Sequence, residues 1–286
     1  MKKILSAILM AAMLLTTVLA FTACGGSASS NAVLKVIDIP LTNEEYAYAV
    51  AKGDAELLAS VNTFLAEIKA NGKFDEIINK YFGDGTPTGV TSAAEDASKD
   101  QLVVATNAGF EPFEYKDGDT YYGVDMEIMA ALAEYLGKEL VISNMEFESV
   151  CTAVAEGMCD VAAAGLTVTD TRKEILDFSD SYYNASQVVI AKADDTTFDA
   201  CKTLEDVEAI LNTLTAEDKI GVQNGTTGQF YVSGDADWGF AGFAAECVGY
   251  ENGSLAAQDL LNGNLKYVVI DIAPAKAIVE KTNALN

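Results

Sequence analysis

The polar residues with the clearest chemical potential cluster in segment 164–172, which reads AGLTVTDTR and follows an apolar run ending at residue 164. Arg172, in this segment, is the only arginine of the chain. A guanidinium group can hold a planar carboxylate through two parallel hydrogen bonds, which a lysine ammonium cannot do. Taken alone, Arg172 could be a surface or helix-end charge, as most arginines are. Asp271 follows a second apolar run and could be no more than the cap of the next helix.

Composition excludes several classes of function. The chain has 286 residues and no histidine, so it has no Ser-His-Asp triad, no Cys-His pair and no histidine-ligated metal site. Its formal net charge is −25, and such an acidic surface repels phosphate backbones, so nucleic acid is not an expected partner. We expect no cofactor and no bound metal. The length fits one or two domains with sizeable cores.

The N-terminus has the pattern of an export signal. Lys2 and Lys3 precede an uncharged apolar run, 4–21, and a short stretch leads to Cys24 and a Gly/Ser-rich segment. Small residues before a cysteine resemble the lipobox of bacterial lipoproteins, although Phe21 stands where leucine is usual. The pattern predicts removal of residues 1–23, lipidation of Cys24, a tether over 24–32 and an extracytoplasmic, membrane-anchored protein. The alternatives are an ordinary signal peptide or a membrane-anchoring helix, since 18 apolar residues just reach spanning length.

Four further cysteines leave their redox state open. They are Cys151, Cys159, Cys201 and Cys247. An exported chain can form disulfides. The spacing matches no metal motif, and a chain of this size does not need covalent staples, so buried free thiols are an equal expectation.

From residue 100 onward, strands and helices alternate. Apolar runs predict strands at 102–106, 140–142, 161–164, 187–191, 220–222 and 267–270. Between them, periodicity and capping residues predict helices at 124–136, 147–156, after Thr203, at 254–261 and up to Lys281. This alternation predicts an α/β protein with mostly parallel sheets, whose ligands bind at the carboxyl ends of strands.

Residues 33–82 form a separate block before this alternation. We expect strands at 34–37 and 46–51, a long helix capped by Asp54 and ended by Gly72, and a short helix at 74–82. Residues 83–99 carry no apolar periodicity and many small residues, so they are interpreted as a flexible linker.

Three motifs together resemble a known family. Segment 164–172, Phe110-Glu111-Pro112-Phe113-Glu114 and Gly225-Thr226-Thr227-Gly228 are similar to the amino-acid-binding proteins of bacterial ABC importers, solute-binding family 3. The resemblance covers the chain apart from the signal, tether and linker, and residues 100–193 are most similar to its glutamine-binding members. It implies a two-lobed periplasmic-binding-protein fold of type II, whose lobes close on a ligand.

The resemblance also implies the ligand contacts. Arg172 matches the arginine that holds the ligand carboxylate, with donors from the backbone N–H and hydroxyl of Thr167 and from Thr227. Asp271 and the carbonyl of Gly165 match the groups that hold the ammonium. The remaining positions match the surroundings of the ligand side chain: the aromatic walls Phe110 and Phe147, and the amides Asn107 and Gln223, where glutamine binders have an acid and a lysine. Phe110 and Phe147 could also be plain core residues, and 225–228 only a turn.

The expected ligand is a neutral or polar amino acid. Two amides, two aromatics and Ile270, which stands where the glutamine binders have histidine, provide no counter-charge for a cationic side chain unless Glu114 reaches the site. We therefore expect a monomeric, non-enzymatic binding protein that delivers a free amino acid to an ABC permease. A same-fold enzyme similar to cyclohexadienyl dehydratase, and a sensory or scavenging module without a transporter, are the alternatives.

The order of the blocks predicts a circular permutation. In the family, a block like 33–82 is the C-terminal end, whereas here it comes first. Lobe one is then expected to contain 41–82 and 100–189, and lobe two the strand 34–38 and 192–286. The crossings between lobes are expected near 38–40 and 191–193, and 83–99 would join the old termini. The alternative is a gene fragment fused upstream of a truncated copy.

Overall fold

The computed structural model describes residues 32–285 of the chain. The predicted signal segment, the lipidation site Cys24 and most of the tether therefore lie outside the described residues. Within the described part, no helix is long and apolar enough to cross a membrane. Cys151, Cys159, Cys201 and Cys247 are free thiols.

The described residues form an alternating α/β chain. Its strands are β1 (Leu34–Ile37), β2 (Glu44–Tyr46), β3 (Ala49–Ala51), β4 (Gln101–Thr106), β5 (Gly109–Phe110), β6 (Glu114–Asp117), β7 (Thr120–Tyr122), β8 (Glu139–Asn144), β9 (Val161–Ala162), β10 (Leu176–Phe178), β11 (Tyr183–Ala185), β12 (Gln187–Lys192), β13 (Lys219–Gln223), β14 (Glu246–Tyr250) and β15 (Tyr267–Asp271). Its helices are α1 (Ala55–Ala70), α2 (Lys73–Phe82), α3 (Val124–Leu136), α4 (Phe147–Ala155), α5 (Asp170–Lys173), α6 (Leu204–Leu211), α7 (Thr227–Ser233), α8 (Gly253–Asn262) and α9 (Ile272–Ala284).

Two five-stranded sheets define two lobes. In lobe one the strand order is β10-β3-β9-β4-β8, and in lobe two it is β1-β12-β15-β13-β14. The expectation of mostly parallel sheets is wrong, because both sheets are mixed. Strands linked by β-helix-β units, such as β4 with β8 and β13 with β14, are parallel. Strands β3 and β12 instead run antiparallel to their neighbours on both sides.

The block 33–82 contributes to both sheets. Strand β1 pairs with β12 in lobe two, whereas β3 lies between β9 and β10 in lobe one. The chain crosses between lobes after β1, and again between β11 and β12. Strand β12 pairs along its length with β1 and β15, so the second crossing lies at Ser186 and not at 191–193 as expected from the sequence. The two crossings contact each other, because the backbone N–H of Leu41 donates to the carbonyl of Gln187 at 2.9 Å.

Local capping explains several helix boundaries. The side chain of Asp54 accepts from the N–H of Leu57 and starts α1, and Thr203 with Asp206 forms the predicted capping box of α6. Helix α3 spans the predicted residues. Gly72 directly follows Asn71, the C-cap of α1, and has a left-handed conformation with φ 84°, as expected of a glycine that ends a helix. It is also the N-cap residue of α2.

The segment 83–99 is not a free linker but packs on lobe one. Val90 is buried and pairs with Tyr121. Ser92 Oγ accepts from the N–H of Ile142 at 2.8 Å, and the N–H of Ala93 donates to the carbonyl of Leu140 at 2.9 Å. The segment therefore extends along β8, at the edge of the sheet, which apolar periodicity alone could not reveal.

Candidate functional site

A small cavity lies between the lobes and gathers most of the predicted site residues. It is lined by Phe110, Phe147, Gly165, Thr167, Arg172, Gln223, Thr226, Thr227 and Asp271. Its volume is about 10 Å³, which is enough for roughly one water molecule. Side chains from both lobes therefore meet in a closed arrangement. An amino acid is several times larger than a water molecule, so it can enter only if the lobes separate.

Arg172 lies across the boundary between the lobes. Its Nη1 donates to the carbonyl of Thr167 at 2.8 Å, and its Nη2 donates to the carbonyl of Gly225, in lobe two, at 3.0 Å. The guanidinium carbon lies 5.3 Å from the centre of the Phe147 ring. Burial lowers the pKa of Arg172, although nearby acidic groups offset part of this, and an arginine stays charged at any physiological pH. The site therefore contains a permanent, oriented cation.

Asp271 ends strand β15 and is 5% exposed. It occupies the N-cap position of α9 but makes no side-chain cap bond; instead its Oδ1 accepts from the hydroxyl of Tyr46 at 2.5 Å. Burial, and then the nearby carboxylate of Glu44, raise the pKa of Asp271 to about 7. A cation arriving in the cavity would favour the ionised carboxylate.

Thr167 and Gly165 are both held by buried acids beneath the site. Thr167 Oγ1 donates to Oε2 of Glu44 at 2.7 Å. A hydroxyl has a single hydrogen, so toward the cavity Thr167 presents lone pairs and acts as an acceptor, in contrast to its predicted role as a hydroxyl donor. The N–H of Gly165 donates to Oδ2 of Asp125 at 2.9 Å. Gly165 has φ 52°, and a Cβ there would lie 2.8 Å from the ring of Phe110, so glycine is required.

The two predicted amides bond to each other across the lobes. Gln223 Nε2 donates to Asn107 Oδ1 at 3.0 Å, and Asn107 Nδ2 donates to the carbonyl of Met145 at 2.7 Å. Among the described residues, neither Oε1 of Gln223 nor Oγ1 of Thr227 has a hydrogen-bond partner, and both are buried. Asn107 thus stands behind Gln223, whereas Gln223 and Thr227 offer unpaired polar atoms at the cavity.

Phe110 and Phe147 enclose the cavity from lobe one. Phe110 is 6% exposed and its ring lies 6.1 Å from that of Phe113, and Phe147 starts helix α4 at 9% exposure. Both also belong to apolar clusters, so they are at once core residues and cavity walls. Ile270 is buried among apolar side chains.

Three residues around the site were not predicted from the sequence, namely Glu44, Tyr46 and Asp125, whereas Glu114 was expected only as a possible counter-charge. Glu44 and Tyr46 come from the block 33–82, far from the motifs in the chain. Glu114 and Asp125 are fully buried, and burial together with the neighbouring Asp125 raises the pKa of Glu114 well above its usual range. Burial raises the pKa of Asp125 to about 6. Residues 44–50, which read EEYAYAV, alternate with a period of two, and this places Glu44, Tyr46 and Tyr48 on one face. This alternation was the signal from which a buried Glu44 could have been predicted.

Larger grooves exist on the surface but do not gather this chemistry. The groove between α9 and the Phe82–Tyr183 region measures about 570 Å³, and Lys281 beside it is paired with Glu111. Among residues 32–285 no group of three or more Cys, Asp or Glu side chains is arranged to hold a metal ion.

Comparison with known proteins identifies the family. The family model of bacterial extracellular solute-binding proteins, family 3, matches residues 6–84 and 102–268. The chain therefore belongs to this family. Its structural neighbours have the two-lobed α/β fold of type II, which is the predicted fold class.

Individual relatives bind several amino acids, according to their names. The arginine-binding extracellular protein ArtP of Bacillus subtilis is 38% identical over 109 residues, which is 38% of this chain and 43% of that protein. A probable histidine-binding protein of Neisseria gonorrhoeae is 32% identical over 190 residues, 65% of this chain and 64% of that protein. This chain thus spans less than two thirds of the length of either relative.

The solved structures that are similar to this chain are also described as amino-acid-binding proteins. An ancestral arginine-binding protein bound to glutamine is 33% identical, with a TM-score of 0.53 over 64% of this chain and 74% of that chain. An ancestral amino acid-binding protein described as a precursor of cyclohexadienyl dehydratase is 28% identical, with a TM-score of 0.53 over 73% of this chain and 78% of that chain.

Proposed function

We propose that this family 3 solute-binding protein captures a free L-amino acid outside the cytoplasm and presents it to an ABC importer, without covalent chemistry. One observation carries the proposal. A single interlobe cavity places the guanidinium of Arg172, from lobe one, and the carboxylate of Asp271, from lobe two, on the same small volume. An amino acid carries the complementary pair of charges, and neither charge can be satisfied by one lobe alone.

The residues at the cavity divide into two groups by charge. Arg172 and the unpaired hydroxyl of Thr227 suit the ligand carboxylate. Asp271, the carbonyl of Gly165 and the acceptor face of Thr167 suit the ammonium. Phe110 and Phe147 exclude water around the ligand, which strengthens both sets of contacts.

Entry requires the lobes to part. In the closed arrangement, Arg172 bonds to Gly225, Gln223 to Asn107, and Tyr46 to Asp271, and each bond joins the two lobes. Opening breaks these contacts, and a bound ligand replaces them with its own. Binding energy is then available to hold the lobes closed, which is the signal that a transporter can read.

The free acceptor of Gln223 favours a ligand side chain that carries an N–H donor. Its Oε1 is buried at the cavity and unpaired among the described residues. Glutamine and histidine supply such a donor without a required charge, consistent with the neutral or polar ligand expected from the sequence. The arginine-binding relatives favour a cationic ligand instead. Such a ligand would need a counter-charge beyond Asp271, and Glu44 and Glu114 are the buried acids beneath the site.

Calorimetric titration with each of the 20 common L-amino acids tests the proposal. We expect binding of one or a few ligands with a polar, nitrogen-bearing side chain. Trp238 is the only tryptophan, and its neighbour Asp237 accepts from Thr171 across the lobes at 3.2 Å, so its fluorescence should change on binding. Tight binding of lysine or arginine alone would contradict the neutral pocket, and absence of any binding would contradict the function. Product formed from a prephenate-type acid would instead support the enzymatic alternative.

Anchoring of the protein at the outer surface of the membrane is part of the same proposal. Lipidation at Cys24 would hold the binding lobes at the membrane surface close to a permease.

The circular permutation is also proposed. In its support, β1 lies in the sheet of lobe two while α1 and α2 pack with lobe one. The side chain of Asn283, near the end of α9, accepts from the N–H groups of Val33 and Leu34 at 2.9 and 3.0 Å.

A further inference from the structure

One buried carboxylate, that of Glu44, connects the candidate site with both crossings between the lobes. Glu44 is 2% exposed. Its Oε1 accepts from Thr42 Oγ1 at 2.5 Å and from Gln187 Nε2 at 3.0 Å, and its Oε2 accepts from Thr167 Oγ1 at 2.7 Å. Thr42 belongs to the first crossing, Gln187 starts β12 directly after the second crossing, and Thr167 lines the cavity. Three segments that are distant in sequence thus converge on one side chain.

The two crossings are joined at the same point. The N–H of Gln187 donates to Thr42 Oγ1 at 2.8 Å, so this hydroxyl accepts from one crossing and donates to Glu44. Gln187 and Asp271 are also register partners across β12 and β15. The network that begins at Glu44 therefore reaches the acid of the cavity.

The network also reaches the lobe-two side of the site. A Cβ on Gly228 would lie 2.8 Å from Oε1 of Gln187, so this amide packs directly against the first turn of α7. That turn begins at Thr227, whose hydroxyl faces the cavity. A rotation of one lobe about the crossings would move Gln187 relative to Glu44, and with it the hydroxyl of Thr167.

We infer that Glu44 is a positioning residue that couples ligand binding to the angle between the lobes. It fixes the hydroxyl of Thr167 as an acceptor toward the cavity and fastens both crossings to the same carboxylate. This inference rests on the proposed function, namely that the cavity binds a free amino acid. Glu44 does not line the cavity, so it acts through Thr167 and the crossings.

The test compares Glu44→Gln with Glu45→Gln in the full chain. Both variants remove one carboxylate, but Glu45 is exposed on the same strand. L-glutamine, L-histidine and L-arginine are titrated into the wild type first. For whichever binds, the deaminated analogue is titrated too: 4-carbamoylbutanoic acid, 3-(imidazol-4-yl)propanoic acid or 5-guanidinopentanoic acid. Glu44→Gln should weaken the amino acid about tenfold or more and the analogue by less than about threefold, because its amide no longer holds the Thr167 hydroxyl as an acceptor.

Small-angle X-ray scattering measures the second half of the inference. Ligand should decrease the radius of gyration of the wild type and of Glu45→Gln by the same amount, and that of Glu44→Gln by less. Thr42→Val separates the two roles, and also serves if Glu44→Gln fails to fold. It removes the tie between Glu44 and the first crossing and leaves the bonds of Glu44 with Gln187 and Thr167. It should therefore reduce the closure response but keep the preference for the amino acid.

The outcomes separate the two proposals. If the wild type binds none of the 20 common amino acids, these three included, the proposed function fails. If it binds one, but Glu44→Gln behaves as Glu45→Gln does, or loses amino acid and analogue equally, the positioning role is overturned. A closure response of Thr42→Val equal to that of the wild type overturns the coupling.

Discussion

At the scale of single residues, Arg172 carries the sharpest prediction. Its guanidinium donates to the carbonyls of Thr167 and Gly225, and its planar face lies near the ring of Phe147. Both contacts depend on the planar shape of the guanidinium. Arg172→Lys keeps the charge but loses the paired N–H donors of the guanidinium. The binding free energy should therefore weaken by about 2 kcal/mol for every ligand that carries an α-carboxylate. Calorimetry measures this loss. The exposed neighbour gives the control Lys173→Arg, which should bind like the wild type. Unchanged affinity in Arg172→Lys would remove this residue from the site.

Asp271 predicts a pH dependence of stability. Burial and Glu44 raise its pKa from an ordinary value near 3.8 to about 7 in the folded protein. Between these values the folded state binds more protons than the unfolded state, so the free energy of unfolding should fall as the pH rises from about 4 to about 7. Each unit of pKa difference corresponds to about 1.4 kcal/mol. Asp271→Asn should flatten this fall.

Chemical denaturation at a series of pH values measures the effect. The exposed residue Asp84 provides the control Asp84→Asn, which should keep the slope of the wild type. Part of the slope should persist in Asp271→Asn, because burial also raises the pKa of Asp125 and Glu114. An unchanged slope in Asp271→Asn would show that its carboxyl group does not titrate in this range.

Sequence reasoning found the residues that face the cavity better than those that support them. Arg172, Asp271 and Thr167 belong to motifs at the ends of apolar runs, and the structure brings them together. Glu44 and Asp125 lie on ordinary-looking segments, and only the packing of distant segments buries them. The direction of the Thr167 hydroxyl could not be predicted, because it depends on Glu44, 123 residues away.

At the scale of elements, periodicity located most helices but not the mixed character of the sheets. Helix α3 and the capping box of α6 agree with prediction because their signals are local. The direction of β3 and β12 depends on which lobe the chain has just left, which no local pattern encodes. The three-stranded sheet β5-β6-β7 was not predicted, since its strands are two to four residues long.

The connector 83–99 gives a prediction at this scale. Glu127 on α3 is 7% exposed and fastens the connector to α2. Its carboxylate accepts from Lys80 Nζ at 2.7 Å, from the hydroxyl of Tyr81 at 2.7 Å and from the N–H of Thr88 at 2.8 Å. Glu127→Ala leaves three donors without this acceptor, so it should lower the free energy of unfolding by ~3 kcal/mol.

Urea denaturation checks the role of Glu127. Glu134 is exposed on the same helix and provides the control Glu134→Ala, expected to change stability by less than about 0.5 kcal/mol. Equal losses in both variants would mean that the connector is not anchored through Glu127. A connector anchored in this way explains why a segment without apolar periodicity nevertheless packs on the lobe.

At the scale of the whole molecule, composition and architecture both fit the proposed capture of a free amino acid. The cavity is lined by one guanidinium, one carboxyl group and several hydroxyls, and the proposed ligand carries the complementary pair of charges. The largest apolar cluster runs from lobe one through the crossings into lobe two, so the hinge is built on packed side chains and hydrogen bonds around Glu44. The proposed closure would then be a movement of two packed lobes about the hydrogen-bonded crossings.

The proposed circular permutation predicts that the chain tolerates a return to the order of the family. Asn283 touches Val33 and Leu34, so the end of α9 and the start of β1 can be joined by about five Gly/Ser residues. A chain ordered 84–285, linker, 32–83 keeps every strand pairing and leaves new ends at Gly83 and Asp84, which are exposed.

This rearranged chain should fold and bind as the original does. We expect the same far-ultraviolet circular dichroism, a melting temperature within a few degrees and an affinity within about threefold for the same amino acid, because all contacts of the cavity are retained. A chain opened between Gly221 and Val222, inside the buried strand β13, is the control and should not fold. If both chains are unfolded, the order found here is needed for folding, and the block 33–82 is not a simply transposed end of the family fold.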